Sequence, residues 1–290
     1  MREPQVEHHV ARPAGALQPF VASYVGYRMR DFQPGTHAGL PSRHLTFIVS
    51  LDAPLDLAVM PNPAQRPERL WAMVGGLHAT PATIRHDESQ HGVQLRLTPA
   101  GARTLLGARA GDLVRQVVPL DAILGHRAHE LVERLAVAPT WRCRFEVLDD
   151  VLCSLAGMTC STQATQPMRA EIAHAWRALV SSNGALDIAE LARDVGWSRR
   201  HLAEQFGTEL GLSPKTMARV MRVMRFEAAK RRLGTSQPVS LSEVAASCGY
   251  ADQSHLTRDW KQFAGTTPGA WMRDDQLPFV QDEDFLSEAS

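Results

Sequence analysis

Five histidines (His37, His44, His78, His86 and His91) and three cysteines (Cys143, Cys153 and Cys160) are the residues best suited by type to metal or thiol chemistry. A metal held on strands needs a close His-x-His with a carboxylate beside it, and these histidines lack that arrangement. They read as scattered polar loop residues, and no metal site is expected. The cysteines are separated by nine and six residues with no C-x-x-C, which disfavours a zinc cluster. Cys143 and Cys153 fall in an apolar helical stripe, where a thiol packs as a small hydrophobe. No P-loop, dinucleotide fingerprint or Gly-x-Ser-x-Gly elbow occurs. No catalytic residue, no cofactor and no enzymatic activity are expected.

The second half carries chemistry of another kind, in duplicate. Residues 186–214 align with 239–268: Asp187 with Ser240, Glu190 with Glu243, Ala192 with Ala245, Gly196 with Gly249 and Trp197 with Tyr250. After one inserted residue the register resumes, pairing Leu202 with Leu256, Phe206 with Trp260, Gly211 with Gly265, and Ser213-Pro214 with Thr267-Pro268. Asp187/Glu190 and Ser240/Glu243 are capping boxes, whose side chains satisfy the orphan amides of a new helix. The small Ala192 and Ala245 permit a close helix crossing. Gly196 and Gly249 stop the helix and turn the chain. Ser198 and Asp252 cap the helices that follow, which turn Leu202 with Phe206, and Leu256 with Trp260, inward. Each unit is therefore a short helix, a glycine turn and a second amphipathic helix. Between the units, Met217, Val220, Met221, Met224, Ala228 and Leu233 recur at helical spacing without Gly or Pro. Such a 215–233 helix would be about 28 Å long, close to the roughly 34 Å that separates successive major grooves on one face of B-DNA.

The first half reads mainly as strands. Leu45, Phe47, Val49 and Leu51 alternate with period two, as do Val93, Leu95 and Leu97, and 20–29, 55–60 and 70–74 are shorter candidates. Pro and Gly punctuate these segments and suggest a small barrel or sandwich. Two amphipathic helices follow, broken at Pro139-Thr140 and expected to pair antiparallel. Tyr24, Phe47, Trp71 and Arg96 combine aromatic surface with one cation and could line an effector pocket. The small polar stretch 159–167 is the expected linker.

The chain has 290 residues with 31 Lys+Arg against 31 Asp+Glu. That balance conceals three unlike parts: +1 over 1–164, +5 over 165–273 and −6 over 274–290. The basic part fits a nucleic-acid reader. The acidic tail, without periodicity, is expected to be disordered. Hydrophobic residues make up 44%, enough for a sizeable core, and no apolar run approaches the roughly 20 residues that cross a bilayer. No signal peptide is visible, and the cysteine usage fits reduced thiols in a cytoplasm.

These motifs carry a resemblance. Residues 167–273 resemble the DNA-binding domain of the AraC/XylS family of bacterial transcription regulators. The match runs through Ile188–Ala192, Gly196-Trp197-Ser198, His201-Leu202, Phe206, Gly211–Pro214, Arg222, Ala228, Val244-Ala245, Gly249-Tyr250, Gln253-Ser254, Leu256, Arg258, Lys261, Gly265 and Thr267-Pro268. The N-terminal half is similar to the β-rich regulatory domains of one branch of the family, through Leu97–Ala102 and Leu120-Asp121.

The resemblance implies that the second helix of each unit, about 198–206 and 252–263, enters a major groove of double-stranded DNA. It places Arg199, Arg200, Ala203 and Glu204, then Ser254, His255 and Arg258, toward the bases, behind the cap Ser198. Gln253, Thr257, Lys261, Ser242 and Arg222 fall to phosphate or inter-helix contacts. Glu204 stands where the family usually carries Arg, Met217 replaces a common aromatic, and Trp260 replaces a common Phe. The resemblance further implies a homodimer through the helix pair 121–157, with Leu131, Leu135, Leu148 and Leu152 at the interface. It also implies a small-molecule effector and, for an activator, contact with RNA polymerase.

The expected fold is therefore α+β in two domains. Residues 1–160 form a regulatory or dimerisation domain, a small β-barrel or sandwich with strands over about 20–98 and helices over about 99–157. A linker covers 161–167, and 168–273 form an all-α domain with two helix-turn-helix units joined by a long helix. The expected function is sequence-specific transcription regulation under control of the N-terminal domain. The alternative is a DNA-binding repair or thiol- or metal-responsive protein built on the same module.

Overall fold

The structure is a computed structural model that describes residues 4–162, 167–233 and 240–273. The linker 161–167 lies partly outside these residues and the acidic tail wholly so. The side chains of Cys160, Ala228 and Leu233 also lie outside the described set.

Ten strands among the described residues build the N-terminal half: β1 (Gln5–Ala11), β2 (Val21–Arg30), β3 (Gly35–Gly39), β4 (Leu45–Ser50), β5 (Leu55–Val59), β6 (Glu68–Leu70), β7 (Ala72–Gly75), β8 (Ala82–His86), β9 (Gln90–Leu97) and β10 (Val117–Pro119). They form a six-stranded sheet ordered β1-β2-β9-β4-β7-β10 and a four-stranded sheet ordered β3-β8-β5-β6. Every pairing is antiparallel. The sheet thus begins at Gln5, well before the expected start near residue 20.

Register explains the two faces of the larger sheet. Tyr24, Leu95, Phe47 and Val74 lie opposite one another across four strands and so share a face. That face meets helices, because the Tyr24 hydroxyl donates to Asp149 of a long helix at 2.9 Å. The other face presents Ile48 and Met73 to Leu55, Leu57, Leu70 and Ile84, which close a second core between the sheets.

The covering helices are α1 (Pro99–Leu106), α2 (Leu120–Leu124), α3 (His126–Val137) and α4 (Trp141–Thr162). Thr98 caps α1 by accepting from the Gly101 amide at 3.0 Å, and Gly107 ends it in the left-handed region at φ 67°. The break at 138–140 separates α3 from α4. Trp141 then seats α4 on the sheet: its ring covers Gly26, where a Cβ would come within 2.3 Å of it. Its indole N–H donates to Glu7 at 2.6 Å. Leu131, Leu135, Leu148 and Leu152 are fully buried inside this single chain, in one core with Leu95 and Phe47. This corrects their placement at a dimer interface, since a side chain already covered by its own sheet and helices offers nothing to a second copy.

Seven helices follow among the described residues: α5 (Ala170–Ser181), α6 (Ile188–Asp194), α7 (Arg199–Leu210), α8 (Pro214–Leu233), α9 (Leu241–Ser247), α10 (Gln253–Ala264) and α11 (Pro268–Arg273). Their core holds Leu202, Phe206, Met217, Val220, Leu256, Trp260 and Phe263. No helix among the described residues is long and apolar enough to cross a membrane.

Candidate nucleic-acid interface

The two repeats fold alike. Asp187 accepts from the amides of Ala189 and Glu190 at 2.7 and 3.0 Å and starts α6. Ser240 starts α9 through a complete capping box with Glu243. The first unit has the cap side chain without the reciprocal Glu190 bond. Gly196 and Gly249 turn the chain at φ 73° and 76°, a conformation that costs glycine no Cβ clash. Ser198 then caps α7 through the His201 amide at 3.1 Å, and Asp252 caps α10 through the His255 amide at 2.7 Å. Leu202 and Phe206, like Leu256 and Trp260, are fully buried. The faces opposite these stripes are left to solvent.

On α7 that face carries Arg199, Arg200 and Glu204, all exposed, with Ala203 half-buried between them. Arg200 donates to Glu204 at 2.8 Å, one helical turn away, so the acid departing from the usual pattern is matched by a neighbouring cation. On α10 the face carries Gln253, Ser254, His255, Arg258 and Lys261, all exposed. Most of both sets sits in the first two turns of its helix, where the free amides and the positive end of the dipole also favour phosphate. Thr257 is half-buried, and the Ser242 hydroxyl lies 2.9 Å from that of Ser240. The Arg222 guanidinium lies over the Tyr250 ring at 5.6 Å and so braces α8 against the second unit.

Two positioning residues escaped the sequence reading. Asp259 is buried on the inner side of α10, where Arg219 of α8 donates to it at 2.7 Å. An acid inside the Leu256-Trp260-Phe263 stripe was the available signal. Arg225 donates to the Cys248 carbonyl at 3.4 Å and to the Ser182 carbonyl at 3.2 Å, joining α9 to the end of α5. Its signal was only an arginine on a helix already rich in them.

The N-terminal residues disperse. Tyr24 and Phe47 are buried on the helix-covered face of the larger sheet. Arg96, also buried, is the next residue along from Leu95 and so faces the opposite way, toward the smaller sheet. Trp71 is half exposed at the outer end of β7, where its carbonyl accepts from Ser50. The four residues therefore do not line one pocket. Between the sheets Arg96 instead lies near His8 and His44, whose pKa values are lowered by burial first and by neighbouring cations second.

His37 and His86 approach each other at 5.7 Å, and burial pushes His37 down to about 4. His78, buried beside the Thr80 carbonyl, is likewise pushed down to about 4. His91 is held by Asp52 at 2.7 Å and Arg28 at 3.2 Å. Cys143 is half-buried and Cys153 exposed. Among the described residues no three His, Cys, Asp or Glu side chains gather as a metal site.

Helix α7 is also fastened to the N-terminal half. Arg103 of α1 grips Glu209 of α7 with two bonds, at 2.6 and 2.5 Å, both groups nearly buried. Gly111 and Gly211 allow the backbones to meet. A Cβ at Gly111 would lie 2.4 Å from the Thr208 carbonyl oxygen, and one at Gly211 would lie 2.3 Å from Val114.

Paired capped helices, glycine turns and two exposed polar faces define a helix-turn-helix domain. Residues 191–274 match the family model described as a helix-turn-helix domain, and the C-terminal region is a helix-turn-helix domain of the AraC type, a module by which transcription regulators bind DNA. No curated protein matches the sequence. Among solved structures, ToxT from Vibrio cholerae is similar in fold at 11% identity and a TM-score of 0.51, over 92% of this chain and 98% of that one. An apo form of ToxT carrying a single substitution is similar at 12% identity and a TM-score of 0.51, over 86% and 97%. The C-terminal domain of AraT, a response regulator from Geobacillus stearothermophilus, matches at 22% identity and a TM-score of 0.33, over 41% and 96%. The two-domain architecture is thus that of ToxT.

Proposed function

We propose that the protein is a sequence-specific transcription regulator that inserts α7 and α10 into two successive major grooves of double-stranded DNA. The observation that carries this reading is the pair of exposed, N-capped helix faces on one repeated scaffold. Arg199, Arg200 and Arg258 are suited to guanine, while Ser254 and His255 can bond several base edges. Gln253 and Lys261 flank them and suit phosphate. The 20-residue α8 separates the units by about 30 Å along its axis, close to the roughly 34 Å between grooves.

The N-terminal domain controls the reader, through a small effector or through dimerisation. What supports control is the grip of Arg103 and the Gly111 turn on α7, because a change in the sheet domain reaches a recognition helix through packed contacts. A homodimer and contact with RNA polymerase complete the regulatory reading. The repair or thiol- and metal-responsive alternative has less support, since the described cysteines Cys143, Cys153 and Cys248 do not gather in one place.

Selection of bound duplexes from a random pool tests the reading directly. The expected result is a site with two short shared blocks about one helical turn apart. Recovery of sequences without a shared motif would overturn it.

A further inference from the structure

Between the rim of the larger sheet and the α2–α3 pair lies an open cavity of about 870 Å³. That is within the roughly 300–1,000 Å³ of small-molecule sites. Its floor is apolar, from Leu51, Leu70, Val132 and Ala136, and Trp71 stands in its wall. Trp71 is 50% exposed, whereas Trp141, Trp260 and Trp271 are buried in the core. A tryptophan half in water above an apolar hollow leaves its largest face free for an occupant.

The rim is acidic. Glu68, Asp121 and Glu133 line the cavity against Arg69 and His129. Neither Glu68 nor Glu133 has an ion-pair partner among the described residues. Arg69 lies across the β5–β6 pair from Asp56, whose carboxylate is taken by Arg85 at 3.2 Å, so Arg69 stands as one cation against the three acids of the rim, which keeps a net negative charge. An anion in the cavity would meet net repulsion, strengthened by the low-dielectric floor. A neutral apolar molecule would cover the floor and leave the attraction of the exposed rim carboxylates unused. A cation with an apolar body satisfies both surfaces at once: its body covers Trp71 and the floor, and its charge meets the rim. Tryptophan is also the ring that best attracts a cation over its face.

We propose that this cavity binds an aromatic or otherwise apolar organic cation. The site itself stands on the cavity and its charge. Only its effect on DNA rests on the regulator reading given above.

Two ions of the same shape and opposite charge test it. Tetraphenylphosphonium and tetraphenylborate are titrated into the full chain, in sodium buffer, by calorimetry. The phosphonium is expected to bind at one site at least tenfold more tightly than the borate. Trp71→Ala is expected to weaken it by tenfold or more. Glu68→Gln with Glu133→Gln is expected to weaken the phosphonium similarly but not the borate, and these exposed changes keep the test valid if the tryptophan variant misfolds. Equal affinity for the two ions, or phosphonium binding unmoved by both variants, would overturn the proposal. So would a dimer that Trp71→Ala dissociates, since it would assign the cavity to a second copy. Operator affinity is then read with and without phosphonium. Saturable binding with unchanged operator affinity leaves the site standing and removes only its regulatory role.

Discussion

Arg258 is the side chain to which the proposed function assigns a base contact in the second unit. It is exposed on the outer face of α10, four residues beyond Ser254 and with no acid paired to it among the described residues. Arg258→Ala is expected to cost about 1–3 kcal/mol of specific binding and to relax discrimination at one base position. Band shifts across operator variants measure this; a uniform loss for all sequences would instead make Arg258 a phosphate contact. Arg200 differs, because Glu204 already holds it at 2.8 Å. The buried histidines make a second residue-scale prediction. His37 and His78 are held near 4, against an ordinary 6.5. The unfolded chain therefore takes up a proton at each before the folded one does. Their stability contribution is complete above 6.5 and is lost as pH falls toward 4, at about 1.4 kcal/mol per pH unit for each. Denaturation between pH 7 and 4.5 should show the slope, and His78→Gln should flatten it.

At the scale of the elements, caps and glycines set where each helix of the two repeats begins and ends. Ser240→Ala removes the hydroxyl half of the α9 capping box, leaving the bond from the residue-240 backbone N–H to Glu243, and should cost about 1 kcal/mol. The loss should appear as faster hydrogen exchange at the Glu243 amide, with α6 unaffected. Gly211→Ala is a harder change. It places a Cβ on a left-handed residue at φ 81° and drives it into Val114. It should destabilise by more than about 1 kcal/mol, which chemical denaturation would register. The starts of the repeats' helices were legible from Asp187, Ser198, Ser240 and Asp252, because capping is a local interaction, whereas α7 runs to Leu210, beyond the expected end near 206. The strands β1, β3 and β8 were not. Gln5–Ala11, Gly35–Gly39 and Ala82–His86 are rich in polar and small residues. Their pairing comes from neighbouring strands rather than from an apolar alternation of their own.

At the scale of the whole molecule, the Arg103–Glu209 pair joins the sheet domain to α7. Both groups are nearly buried, so Arg103→Ala leaves a stranded carboxylate and should cost about 3–5 kcal/mol. Replacing both together, Arg103→Met with Glu209→Leu, should recover most of that in equilibrium denaturation. If the pair transmits control, the double variant should also lose any effector response in operator binding while keeping its fold. Charge acts at this scale as well. The 165–273 segment carries +5 and the 274–290 tail −6. Specific binding should weaken linearly in log affinity against log salt, by nearly one unit of slope for each phosphate neutralised.

The duplicated helix-turn-helix units, their caps and the exposed polar faces were determined by the sequence alone, because each depends on side chains within a few residues of one another. The tertiary structure decided which apolar residues remain available. Leu131, Leu135, Leu148 and Leu152 have the periodicity of an outer helix face, yet the chain's own core consumes them. Tyr24, Phe47, Arg96 and Trp71 share a composition suited to one pocket, yet strand register sends them to opposite faces and an outer edge. Periodicity shows that a face will be covered; only long-range packing determines what covers it.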